Sequence, residues 1–306
     1  MTTDPWTEPS VSFPVDSVSG GQVTSARRGR WLAPLALLAP AGLFLGILIA
    51  ASLMIFRLSL GLKGEEGAWT LLNYAAIGQS LYLKSILVTF KLAFLTTAIV
   101  VVLGFPIAMF LARTRSESVR ALALFVLLLP LLTNRLVQSY GWMIILAPAG
   151  LINRLAHALG LIDQPLLLLF NETGVLIGLV HTSFPLAVLP IASALRTIPQ
   201  SVEEAGATLG AHRLRVLWHI VFPLSLPGVI AGSLLVFGYT AGAFVIPFLL
   251  GARRVSMLAV LIRDQMGPLL NWPFGAANAV VLVVIALVIM GVNQCVTARY
   301  LNLWRT

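Results

Sequence analysis

Residues 201–227, SVEEAGATLGAHRLRVLWHIVFPLSLP, form the only long polar segment between strongly apolar neighbours in the C-terminal half. Residues 203–209 are good helix formers, with acids near the start, where the helix dipole favours negative charge. Gly210 can adopt positive φ and stop that helix. Residues 213–221 predict a second, basic helix, ended by Pro223 and Pro227. The pattern is two short helices with a break, set between apolar runs.

Those apolar runs continue through the chain. Of 306 residues, 58% are hydrophobic and only 10% charged, against roughly 25% charged in soluble domains. This is the composition of a membrane protein. The net charge of +9 does not point to nucleic acid, because basic residues in membrane chains set orientation. A single cysteine, Cys295, leaves no disulfide within the chain and no cysteine metal site; it reads as a small buried apolar residue. Residues 1–30 read as a disordered tail, polar and acidic at the start, not as a secretory signal. The first span then acts as an uncleaved anchor.

A bilayer core needs about 20 apolar residues per helix. Six segments qualify: 31–56, 86–112, 121–147, 174–195, 228–250 and 276–296. The fold class is therefore all-α, with six transmembrane helices. Residues 57–84 form an outer loop, 85–296 the main transmembrane domain, and 297–306 a tail. Short helices are expected near residues 69–74 and 151–161. Six spans put both termini on one side. With that side cytoplasmic, eleven Lys/Arg lie inside, seven outside and two within spans. The cluster Arg27, Arg28 and Arg30 is the strongest orienting signal. This orientation places the 201–227 loop in the cytoplasm.

The loop resembles the EAA loop of importer permeases of the ATP-binding-cassette class. Glu204-Ala205-Gly206, Gly210 four residues after Gly206, Ile220 and Pro223 keep its spacing, with Gly206 in place of Ala and Phe222 in place of Leu. Further likeness runs over residues 70–296: Asn73-Tyr74, the segment 92–114, Ser139-Tyr140-Gly141-Trp142, residues 242–247 and residues 271–277. These resemble the spermidine/putrescine branch of type I permeases, although Gln138 stands where that branch often has Arg. The resemblance implies the type I (MetI-like) fold in a bacterial inner membrane. It also implies a separate ATPase dimer docked on Glu203, Glu204, Ala205, Gly206, Gly210, Ile220 and Pro223. A second, different permease subunit and a periplasmic solute-binding protein would complete the importer.

The residues themselves agree that this chain does no covalent chemistry. None of Lys63, Lys84 and Lys91 follows Gly and precedes Ser or Thr, so the phosphate-binding loop of an ATPase is missing and ATP and magnesium belong to a partner. His181, His212 and His219 lack metal-ligand spacing, and no hydrolase elbow occurs. Polar groups within spans usually face a bundle interior or water. Arg135, Gln138, Tyr140, Trp142 and Tyr239, with Asn271 and Trp272 at an outer connection, are therefore candidates to line a solute path. Helix–helix hydrogen bonding and interfacial anchoring are the alternative roles. Lys91 either faces that path or snorkels. Gly104, Gly238 and Gly242 read as packing points or hinges. No acid lies within a predicted span, which disfavours the main rival, an ion-gradient-driven transporter; a non-transporting scaffold would not account for the loop spacing. The likeness suggests a polyamine cargo. A dication would prefer acids along its path, where the spans offer Arg135 and Lys91; the acids come from the second permease, from Asp264 at the outer side or from the binding protein, or else the solute is zwitterionic or anionic, such as an amino-acid derivative or a phosphonate.

Overall fold

The computed structural model describes residues 32–64, 69–208 and 210–303; the expected N-terminal tail, Trp31, Leu209 and the last three residues lie outside them. The chain divides near residue 53 into two units. The first unit is made largely of α1 (Leu32–Ser59), a 28-residue helix. At about 1.5 Å per residue it is some 42 Å long, more than the hydrocarbon core requires.

The regular elements described in the second unit are helices. Its elements are α2 (Leu72–Ile77), α3 (Ser80–Arg113), α4 (Glu117–Leu132), α5 (Arg135–Leu146), α6 (Leu151–Ala158), α7 (Glu172–Thr197), α8 (Gln200–Thr208), α9 (Arg213–Val216), α10 (Phe222–Ala241), α11 (Leu258–Met266) and α12 (Trp272–Leu303). Among the described residues six segments are long and apolar enough to cross a membrane. Four match the expected spans in place, and the third and fifth differ instructively.

The third span is broken. Residues 121–147 predicted one helix, but α4 ends at Leu132, Thr133 and Asn134 are extended, and α5 starts at Arg135. The Asn134 side chain accepts from the Leu136 amide at 2.8 Å, an N-cap that competes with continued helix. The break orphans carbonyls at the end of α4. Gln138 donates its side-chain amide to one of them, at Pro130. The stretch apolar enough to cross then runs Arg135–Ala158, through α5 and α6.

The fifth span starts earlier and stops earlier than residues 228–250. Pro223 and Pro227 do not end the basic helix. Residues Leu217–Val221 form a π-turn that joins α9 to α10, so the helical path runs Arg213–Ala241. A proline lacks its N–H and crowds the carbonyl four residues earlier; the wider π-turn just before Pro223 absorbs both defects. The far end stops at Gly242, and a second π-turn, Pro247–Gly251, follows.

The core is the triple contact of α3, α7 and α10. It buries Val100, Ala108, Leu111, Val188, Ile191, Leu195, Val229 and Val236. Backbones meet where side chains are missing. A Cβ on Gly228 would lie 2.4 Å from Ala194 Cβ, and one on Gly232 would lie 3.0 Å from the Ala187 backbone. Gly104 is likewise a packing point against Val188. Small residues at such contacts are what lets membrane helices attract, since lipid is as apolar as the side chains. Outside the core, Asn73 donates to the Ser59 and Gly61 carbonyls, and Tyr74 hydroxyl meets Ser59 at 2.6 Å. The Asn-Tyr pair thus pins the chain between α1 and α2. One expectation fails at the C-terminal end. Cys295 is exposed, not buried, because residues 291–295 of α12 face away from the bundle. The sixth span ends at Cys295, as expected, and α12 itself continues to Leu303.

Two outcomes follow from this packing. Gly228→Val should destabilise the detergent-solubilised protein by about 1–3 kcal/mol through overpacking, seen as a lower unfolding midpoint, whereas Val283→Ala on an exposed face of α12 should leave it unchanged. Gln138→Leu should cost a similar amount, about 1–3 kcal/mol, by leaving the Pro130 carbonyl unpaired, and Gln138→Glu at low pH, with a protonated donor, should recover part of it.

Candidate functional site

The 201–227 loop folds as a tight two-helix unit. The Ala211 amide reaches back to the Gly206 carbonyl at 3.2 Å, and Gly210 sits at φ +80°. This is the Schellman closure of α8, which demands a residue that tolerates the left-handed region. His212 then caps α9, its Nδ1 accepting from the Leu214 amide at 3.4 Å.

The docking candidates divide into two groups. Gly206 is buried, and a Cβ there would come within 3.1 Å of Val216 Cγ2 and Ile220 Cδ1. Gly206 and Ile220 therefore clamp α8 to the start of the fifth span, and Pro223 begins α10 beside them. Glu203 is half-buried and forms an ion pair with Arg113, the last residue of α3. Arg113 also donates to the Ile198 carbonyl at 3.1 Å. Glu204, Ala205 and Gly210 stay exposed. Of the motif, Glu204, Ala205 and Gly210 form the outward ridge, while Gly206 packs inward against Val216 and Ile220. A groove of about 550 Å³ runs beneath the ridge, between Met109 and Arg113 on one side and Leu214 and Leu217 on the other.

The polar groups of the spans do not form one cluster. Arg135 lies over the ring of Tyr239, with Cζ 4.6 Å from the centroid. The two residues share a cavity of about 280 Å³ with residues 242–246. Gln138 and Trp142 turn instead to α7: Thr182 donates to Gln138 Oε1 at 3.4 Å, and Trp142 Nε1 donates to His181 Nδ1 at 3.3 Å. Tyr140 is exposed, at 55% of its surface, on another face of α5. Asn271 and Trp272 start α12: Asn271 Oδ1 accepts from the Phe274 amide at 3.4 Å, and Trp272 is exposed.

Lys91 does not stand alone. It donates to Glu172 at 2.6 Å, with both side chains about half exposed. Glu172 opens α7 inside a membrane-crossing helix, two residues before the expected start of the span. A lysine facing hydrocarbon is costly, and the partner carboxylate offsets that cost. Asp264 is also engaged, by Arg263 at 2.7 Å. Sequence reasoning missed Arg113 and Glu172 as partners, because their pairs join residues 90 and 81 positions apart. The one available hint was that each charge abuts an apolar run.

The model of the family described as binding-protein-dependent transport system inner membrane component matches residues 100–302. The spermidine/putrescine transport system permease protein PotB of Escherichia coli strain K12 is 36% identical over 217 residues, covering 71% of this chain and 78% of that protein. The PotB protein of Haemophilus influenzae is 32% identical over 216 residues, covering 71% and 75%. The molybdenum transport system permease protein ModB of Azotobacter vinelandii is 33% identical over 187 residues, covering 60% and 80%. In structure, a chain of a bacterial ABC transporter involved in the import of alginate superposes with a TM-score of 0.73 at 16% identity, covering 89% of this chain and 96% of that one. With six segments long and apolar enough to cross a membrane and the family model matched over residues 100–302, this chain belongs to the family of binding-protein-dependent transport inner membrane components, as the permease subunit of an ABC importer.

Proposed function

We propose that the subunit imports a polyamine such as putrescine or spermidine, delivered from the periplasm by a solute-binding protein and driven by a separate ATPase docked on α8. Both termini are then cytoplasmic, and a second, different permease completes the path. The PotB relatives support the cargo class. The ModB relative carries a molybdenum system's name at similar identity, so cargo is argued from residues as well.

One observation carries the coupling mechanism. The exposed ridge of Glu204, Ala205 and Gly210 is joined to the membrane by two stiff connections. The first is the Arg113–Glu203 ion pair, which fastens α8 to the end of α3. The second is the helical path Arg213–Ala241, 29 residues long, or about 43 Å. ATP binding closes the ATPase dimer and moves α8. The ion pair passes that motion to α3, and the π-turned helix passes it to Tyr239 at the far end of α10.

The charge balance also suits a polycation. Lys91 would repel such a cargo, but Glu172 neutralises it.

With the complete importer in proteoliposomes, Glu204→Lys and Gly210→Pro should each cut putrescine uptake by about tenfold or more, the scale of a lost interface charge or a forbidden positive φ, while ATP hydrolysis continues. Normal uptake by both variants at matched protein levels would sink the docking assignment. Arg113→Ala should also uncouple hydrolysis from uptake, and the double exchange Arg113→Glu with Glu203→Arg should restore several-fold of the loss. Uptake that survives ATP removal while an ion gradient persists would favour the gradient-driven reading instead.

A further inference from the structure

We infer that Arg135 is a tethered competitor for the cargo: its guanidinium and a primary alkylammonium group of the solute contend for the same face of Tyr239. The inference rests on the polyamine reading above and assigns it a site.

The Tyr239 ring attracts a cation through its quadrupole, and Arg135 already sits on it at 4.6 Å, within the range of a cation–π contact. The adjoining cavity of about 280 Å³ is lined by Gly242, Ala243, Phe244, Val245 and Ile246 besides this pair. Its walls are largely apolar, which suits methylene groups. Its polar character comes from backbone. The helix α10 ends at Ala241; its Gly238 and Thr240 carbonyls already accept from the Gly242 and Ala243 amides, but the helix end carries partial negative charge. An ammonium group brings three donors and no acceptor, which complements that negative end. The Tyr239 hydroxyl is buried and has no hydrogen-bond partner among the described residues. The site therefore offers a ring face, the negative end of a helix dipole and apolar walls, with no carboxylate in its lining.

Arg135 can leave the ring at low cost. It is exposed, it is the first residue of α5, directly after the break at Thr133 and Asn134, and no carboxylate pairs with it among the described residues. Displacing it exchanges one cation for another on the ring. The displaced guanidinium then repels the bound ammonium from close range, which keeps the site weak. Weak holding suits a path, where a solute must leave as readily as it enters.

The test is initial putrescine uptake by the complete importer in proteoliposomes, over a range of concentrations, with insertion matched by quantitative immunoblot. Tyr239→Leu should lower uptake at subsaturating putrescine by about tenfold, as expected for a lost desolvated cation–π contact. Tyr239→Phe, which keeps the face, should stay within about twofold. Arg135→Gln should transport at least as well as the parent protein, with a lower KM. If Tyr239→Phe is as defective as Tyr239→Leu, or if Arg135→Gln loses uptake by the same factor as Tyr239→Leu, the competition is overturned. Parent importer that takes up neither putrescine nor spermidine overturns the polyamine reading itself; parent importer that does, with either failing variant pattern, overturns only the role of Arg135.

Discussion

Gly228 and Gly232 allow the backbone of α10 to lie directly on α7, where a Cβ at either place would meet Ala194 or the Ala187 backbone at 3.0 Å or less. In lipid there is little hydrophobic drive to bring helices together, so this close fit is the attraction that holds the bundle. The other elements depend on it. The helix α3 closes the triple core through Val100, Ala108 and Leu111, and α8 hangs from the loop-side ends of all three helices. A looser seam would let the loop move without moving the membrane helices.

Two irregularities in otherwise apolar helices give the molecule its working parts. The break at Thr133 and Asn134 frees Arg135 to reach Tyr239 and leaves a carbonyl that Gln138 satisfies. The π-turn at Leu217–Val221 does the opposite and keeps a helix intact across Pro223. In a bilayer each freed backbone group must find a partner inside the protein. Irregular backbone is therefore confined to places where a side chain can reach it. The loop and the Tyr239 cavity, far apart in function, are thereby the two ends of one helical path.

Charges follow the same economy. Lys91 with Glu172, Arg113 with Glu203 and Arg263 with Asp264 each join opposite signs. The first of these pairs removes a positive charge that the chain alone seemed to set against a cationic cargo. Arg135 is handled differently, by an aromatic face rather than by an acid, and so keeps its charge available.

The sequence by itself determined the fold class, the number of spans and the family, since composition, span length and the spacing from Glu204 to Pro223 are local properties. It also marked Gly210 as a helix stop, because a left-handed turn is a demand on one residue. It misjudged the third and fifth spans, where the outcome hung on whether a defect was repaired. Asn134 ended a helix because its own side chain capped the next one, while Pro223 did not because the preceding turn widened. Only the tertiary structure decided that Glu203 pairs with Arg113, that Gly206 packs against Val216 and Ile220, and that Arg135 and Tyr239 meet while Tyr140 points elsewhere. Those facts join residues up to a hundred positions apart, and such pairings are set by which helix faces pack together, which no local pattern encodes.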